Sequence, residues 1–93
     1  QAVSDELTGC LTRDAFLSRG RDLLALCAQL EQDAVLVLIK LLDLRRVNES
    51  VGKAAGNRLL ADLGALLGRR FGTRDLLGRL GGDEFAILAI GQD

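Results

Sequence analysis

The sequence predicts one small α+β domain with the element order helix, strand, helix, helix, strand, strand. Three observations carry this. Leucines and other apolar residues recur at three- and four-residue steps over 13–32 and 55–70, the period of an amphipathic helix. A continuous aliphatic run fills 34–42, which suits a buried strand. Two short apolar runs within 75–90 flank Gly81, Gly82, Asp83 and Glu84, a tight hairpin in which the Gly pair supplies the turn.

Taken in order, residues 4–12 are polar and turn-like, with Thr12 as the N-cap of the first helix. That helix, 13–32, carries Phe16, Leu23, Leu24, Cys27 and Leu30 on its apolar stripe, and Gly20 weakens it. The run from Ala34 to Leu42, bounded by Asp33 and Asp43, reads as the central strand of a sheet, buried on both faces. A short helix at 45–51 ends at Gly52. The helix at 55–70 buries Leu59, Leu60, Leu63, Leu66 and Leu67, and Arg69 and Arg70 complement the negative end of its dipole. The hairpin 75–90 completes the chain, with strands 75–80 and 85–90 joined by four residues.

Composition narrows the function. With 93 residues and 48% hydrophobic content there is room for one core and no second domain. Twelve basic against thirteen acidic residues give a net charge of −1, which excludes a nucleic-acid footprint. The absence of His excludes a His general base and His-ligated zinc. Absent Trp and Tyr, and only three Phe, remove base-stacking platforms. Cys10 and Cys27 make neither a disulfide framework nor a four-ligand metal site, and read as small buried thiols in a reducing cytoplasm. No apolar run is long enough to span a bilayer, and no signal peptide opens the chain. The first residue is Gln1 rather than Met, which suggests an upstream portion.

The hairpin tip is the informative site. Two Gly let a backbone approach a bulky anion, and two consecutive carboxylates offer a ligand for a hard cation such as Mg²⁺. The same residues are also plain turn chemistry. Gly81, Gly82, Asp83, Glu84 and Phe85 spell GGDEF. Upstream, residues 5–13 (DELTGCLTR) resemble D-x-L-T-G-L-x-N-R, and 47–60 (VNESVGKAAGNRLL) resemble I-N-D-x-x-G-H-x-x-G-D-x-x-L. Arg79 precedes the tip at the corresponding place. With three blocks in order and at matching spacing, the chain resembles the GGDEF, or diguanylate cyclase-like, family over nearly its whole length.

That resemblance implies a ferredoxin-like βααββ core of the nucleotide-cyclase type. The 1–93 chain is then a partial GGDEF domain, lacking the C-terminal part with its phosphate-holding basic residues. Active members of the family condense two GTP into cyclic di-GMP and pyrophosphate across a dimer, with Mg²⁺ on each nucleotide. By the same resemblance Asp83 and Glu84 are catalytic and Asp83 also ligates metal, while Gly81 and Gly82 lie against the nucleotide. Asn48 and Asn57 take the guanine-binding positions, and Asp75 the end of the product-inhibition motif R-x-x-D.

Several positions depart from that pattern. Counting back from Asn48 without a gap places Lys40 where the first metal-ligating Asp belongs and Leu42 at the second acidic position. A one-residue deletion brings Asp43 to the second position but leaves Leu41 at the first. Asn57 stands in place of an Asp, Lys53 in place of His and Glu49 in place of Asp. Gly72 occupies the Arg position of R-x-x-D, so the inhibitory site is incomplete. The expectation is a catalytically impaired regulatory or dimerisation module of cyclic-di-GMP signalling in the cytoplasm. It would bind GTP or cyclic di-GMP weakly or not at all, with Mg²⁺ only if nucleotide binds. The alternatives are a fragment of an active diguanylate cyclase and a scaffold that binds no nucleotide. An uncovered sheet edge further suggests a homodimer, formed through strand exchange.

Overall fold

The computed structural model describes residues 2–71 and 74–91. The elements are α1 (Arg13–Gln29), β1 (Ala34–Lys40), α2 (Leu44–Val51), α3 (Lys53–Arg70), β2 (Leu76–Gly81) and β3 (Glu84–Ile90). The three strands form one sheet in the order β1-β3-β2, antiparallel throughout. Alternation along β3 divides the core between the two faces. Phe85, Ile87 and Ala89 pack with Leu60 and Leu67 of α3 and with Cys10. Ala86 and Leu88 pack with Phe16 of α1 on the other face. The sheet therefore lies between α1 and α3.

Local chemistry sets the boundaries. The Thr12 hydroxyl accepts from the Ala15 N–H at 3.3 Å and starts α1, which stops at Gln29, three residues before the expected end. Leu24 and Leu30, assigned to its apolar stripe, are 49% and 59% exposed, so Phe16, Gly20 and Cys27 make the buried face. In α3, Leu60 and Leu67 are buried with Gly56 and Gly64, while Leu59 and Leu66 are largely exposed. Gly52, at φ 110°, takes the backbone corner that separates α2 from α3, a conformation an L side chain resists.

Three sequence expectations are corrected. The 34–42 run is not the central strand among the described residues: β1 ends at Lys40, forms one edge of the sheet and leaves Leu36 and Leu38 57% and 68% exposed. β3 occupies the centre instead, because it has a hydrogen-bonding neighbour on each side and a helix over each face. The hairpin is also tighter than four linking residues. Gly81 pairs with Glu84, so Gly82 and Asp83 alone make the turn, and a bulge between Arg79 and Gly81 accommodates it. Finally, β2 begins at Leu76, not 75, because the Asp75 carboxylate is diverted to the Ile90 N–H at 3.2 Å.

Candidate functional site

The hairpin tip is held from both sides. On the β1 side, Lys40 stands directly opposite Glu84 in the ladder, and the next residue, Leu41, donates its N–H to the Asp83 carbonyl at 2.8 Å. Cross-strand partners in an antiparallel pair share a face of the sheet, with Cβ atoms about 4.5–5.5 Å apart. Lys40 and Glu84 thus hold facing backbone positions and are both exposed, and the Glu84 carboxylate lies over Gly81, 3.2 Å from where a Cβ on that glycine would stand.

On the β2 side, Arg79 clamps the turn. Its Nε donates to the Gly81 carbonyl at 3.2 Å and its Nη2 to the Gly82 carbonyl at 2.8 Å. Its Nη1 bridges both carboxylate oxygens of Asp5 at 3.2 and 3.3 Å. Asp5 lies in an N-terminal loop that runs beside β2: Leu11 donates to the Leu77 carbonyl and Arg79 returns an N–H to the Leu11 carbonyl, each at 2.9 Å. The Thr8 hydroxyl and N–H also donate to Asp5 Oδ2, at 2.7 and 2.9 Å. Burial alone would raise the Asp5 pKa, but the Thr8 hydrogen bonds and the Arg79 guanidinium outweigh it and hold the carboxyl below its ordinary value. Burial pushes the neighbouring Cys10 thiol up, which makes it a poor nucleophile.

A second cluster lies where α2 meets α3. Asn48 Oδ1 is buried and has no hydrogen-bond partner among the described residues. Its nearest neighbour is Gly56 in the first turns of α3: a Cβ built there would fall 1.7 Å from Asn48 Oδ1. Only Gly leaves room for the amide in this position. Asn57 follows Gly56 and is half-buried. The chain reaches α2 four residues after Lys40, so β1 delivers both clusters from one end of the sheet.

Asp75 belongs to the opposite end, where its carboxylate caps the Ile90 N–H. A crevice of about 310 Å³ lies at that end, lined by Arg19, Asp22 and Arg74 over Leu23, Leu26 and Leu76. Gly72, the vacant arginine position, lies outside the described residues. The structure thus joins Lys40 to Glu84, Leu41 to Asp83 and Asn48 to Gly56, and sets Asp75 apart from them. What the sequence reading missed is the Asp5–Arg79 connection, although Asp5 opens a matched block and Arg79 stands at its expected place before the tip.

The donor set at the tip does not suit a magnesium ion. Mg²⁺ takes hard oxygen ligands in near-octahedral geometry and commonly one or two carboxylates. Here the ladder partner of Glu84 is Lys40, a residue that offers a divalent cation no oxygen ligand. Among the described residues there is no group of three or more Cys, Asp or Glu side chains placed to hold a metal ion.

Comparison with known proteins agrees with the fold and the motifs. Residues 2–92 match the family described as diguanylate cyclase, GGDEF domain. The chain is 40% identical over 87 residues to the probable diguanylate cyclase DgcE of Escherichia coli K12, covering 94% of this chain and 8% of that protein. It is 33% identical over 95 residues to the cyclic di-GMP phosphodiesterase PdeB of Shewanella oneidensis, covering 95% of this chain and 10% of that protein. Among solved structures, it superposes on a microbial GGDEF domain studied for its interaction with cyclic di-GMP, with a TM-score of 0.91 and 30% identity, over 100% of this chain and 61% of the other. The chain therefore spans a small share of these curated relatives and somewhat over half of the solved domain. With the intact tip at Gly81 to Phe85 and the βααββ core behind it, the chain belongs to the GGDEF family of diguanylate cyclase domains.

Proposed function

We propose that this chain serves cyclic-di-GMP signalling as a GGDEF module that does not turn over GTP and acts as a regulatory or dimerisation element. The observation that carries this reading is Lys40 opposite Glu84: an ammonium stands where the family resemblance calls for a metal-ligating Asp. Condensing two triphosphates requires neutralising the charge that develops on the transferred phosphoryl group. Asp83 and Glu84, the expected catalytic pair, lack the partner carboxylate for that task. The match to PdeB, a protein named as a cyclic di-GMP phosphodiesterase, is compatible with this reading. No helix among the described residues is long and apolar enough to cross a membrane. Homodimerisation belongs to the same reading, and light scattering across a range of concentrations tests it.

The deciding experiment is incubation of the full-length protein with GTP and Mg²⁺. The expected result is no cyclic di-GMP. Product that disappears in Asp83→Ala would overturn the reading and favour an active cyclase, the second reading, which the intact tip supports.

The guanine side of the site is better preserved. Asn48 Oδ1 has no hydrogen-bond partner among the described residues and is sealed against Gly56, so the amide reads a base edge with both its groups once it turns outward. Gly56→Ala tests this. Alanine gains about 1 kcal/mol of helix propensity, which offsets much of the cost of pushing Asn48 aside. The expected outcome is a melting temperature shifted by only a few degrees and a GTP affinity lowered by about tenfold, read by calorimetry. Unchanged affinity would remove Asn48 from the site.

A further inference from the structure

We propose that Thr8 is a positioning residue for the hairpin tip: it acts through Asp5 and Arg79 on the turn at Gly82 and Asp83, and its own seat is Gly64 on α3.

The link starts in the helix layer. Gly64 is buried in α3, and a Cβ built on it would stand 2.7 Å from the Thr8 carbonyl oxygen and 2.8 Å from Thr8 Cβ. The N-terminal loop is therefore pressed onto α3 at a place that only Gly leaves open. Thr8 is a buried polar residue, 9% exposed. A hydroxyl has a single hydrogen to donate and lone pairs with which to accept. The Thr8 hydroxyl donates to Asp5 Oδ2 at 2.7 Å and accepts from the Cys10 N–H at 3.3 Å. The Thr8 N–H donates to the same Asp5 oxygen at 2.9 Å.

Asp5 passes this order on. Both its oxygens accept from Arg79 Nη1, and Nε and Nη2 of the same guanidinium hold the Gly81 and Gly82 carbonyls. A guanidinium is a rigid planar fork, so fixing one edge of it fixes the other. The Asp83 carbonyl, one residue further on, accepts the Leu41 N–H at 2.8 Å, which ties the turn to the chain just past β1. From Gly64 to Arg79 the groups involved are buried or half-buried, where hydrogen bonds are strong and costly to leave unmade. A loop that shifts on α3 must therefore either break its hydrogen bonds to Asp5 or carry Asp5, Arg79 and the turn with it. The angle at which the tip presents Asp83 is set from α3, through a contiguous network with a defined start and end.

The test is amide hydrogen exchange in the full-length protein, isotopically labelled at leucine and read by NMR. The Leu41 N–H reports on the tip, and the Leu88 N–H, in the central strand, on opening of the whole sheet. Thr8→Val keeps the shape of the side chain and removes the hydroxyl. It is expected to speed exchange at Leu41 relative to Leu88 by about tenfold, the effect of losing a hydrogen bond to a charged group. Thr8→Ser retains the hydroxyl and is expected to keep that ratio within about twofold of wild type. Gly64→Ala is expected to reproduce Thr8→Val, although the nearest neighbours of the added Cβ are all atoms of Thr8. Ile87→Val, a core change on the central strand, is expected to speed both amides alike and leave the ratio unchanged. A wild-type ratio in Thr8→Val or in folded Gly64→Ala, a Thr8→Ser ratio as high as that of Thr8→Val, or a raised ratio in Ile87→Val would each overturn the inference. Where Gly64→Ala does not fold, the two Thr8 variants decide. No nucleotide enters the measurement, so these failures are separate from failure of the functional reading, which falls only if wild type makes cyclic di-GMP.

Discussion

Phe85→Ala is expected to destabilise the chain by about 3–5 kcal/mol, the usual cost of emptying a fully buried aromatic site. Phe85 is 0% exposed and, with Ile87, is one of the two largest fully buried side chains among the described residues. It lies on the α3 face of the central strand, in the cluster that joins Leu60, Leu67 and Cys10 to the sheet. Domains of this size have total stabilities of only about 5–15 kcal/mol, so the loss is a large part of the whole. A fall in melting temperature of about 12 °C or more is the expected reading. Leu38→Ala is the contrast. Leu38 is equally apolar but 68% exposed on edge strand β1, and its truncation is expected to cost less than about 0.5 kcal/mol. Similar losses at both positions would mean that β1 is covered in the folded protein. The last letter of the GGDEF motif is thus a core residue, the second position of β3.

Much of this was legible in the chain itself, and the failures have physical causes. Helical and strand periods reveal which residues share a face, so the element order follows from sequence, whereas the split of β3 between two cores does not. Where a strand sits in a sheet depends on which partners are present. Val35 to Leu38 are as apolar as a central strand requires, yet among the described residues β1 is flanked on one side only. β3 contains Ala86 and Ala89, small residues that advertise burial less strongly, and it is the strand enclosed on both sides. At the site, counting back from Asn48 was enough to flag Lys40 as out of place. Its pairing with Glu84 needed the three-strand register, and the buried Asn48 carbonyl needed the approach of α3 through Gly56. The contact between Asp5 and Arg79 spans 74 residues of sequence, and no local pattern encodes a pair so far apart.

That contact carries the second large effect. Arg79→Ala is expected to cost about 2–3 kcal/mol, because it leaves a half-buried carboxylate short of its cation and two turn carbonyls short of their donor. The side chains of Arg79 and Asp5 are only 17% and 25% exposed, so water screens the pair far less than it does the exposed Arg45–Glu49 pair on α2. A double-mutant cycle with Asp5→Ala is expected to give a coupling of about 1 kcal/mol or more, and additivity would show that the two residues act separately. Arg79→Lys does not rescue, since an ammonium cannot span Asp5 and both carbonyls with one planar fork. Acid supplies an independent check. The folded-state pKa of Asp5 is depressed, so its contribution is fully present above the unfolded carboxylate pKa of about 3.9 and is lost as pH falls through the lower folded value. Wild type should therefore lose stability below about pH 4 more steeply than Arg79→Ala, whose Asp5 has already lost its cation. Parallel acid transitions in the two proteins would show that Thr8 alone sets the Asp5 pKa, and that the clamp on the hairpin tip owes little to charge.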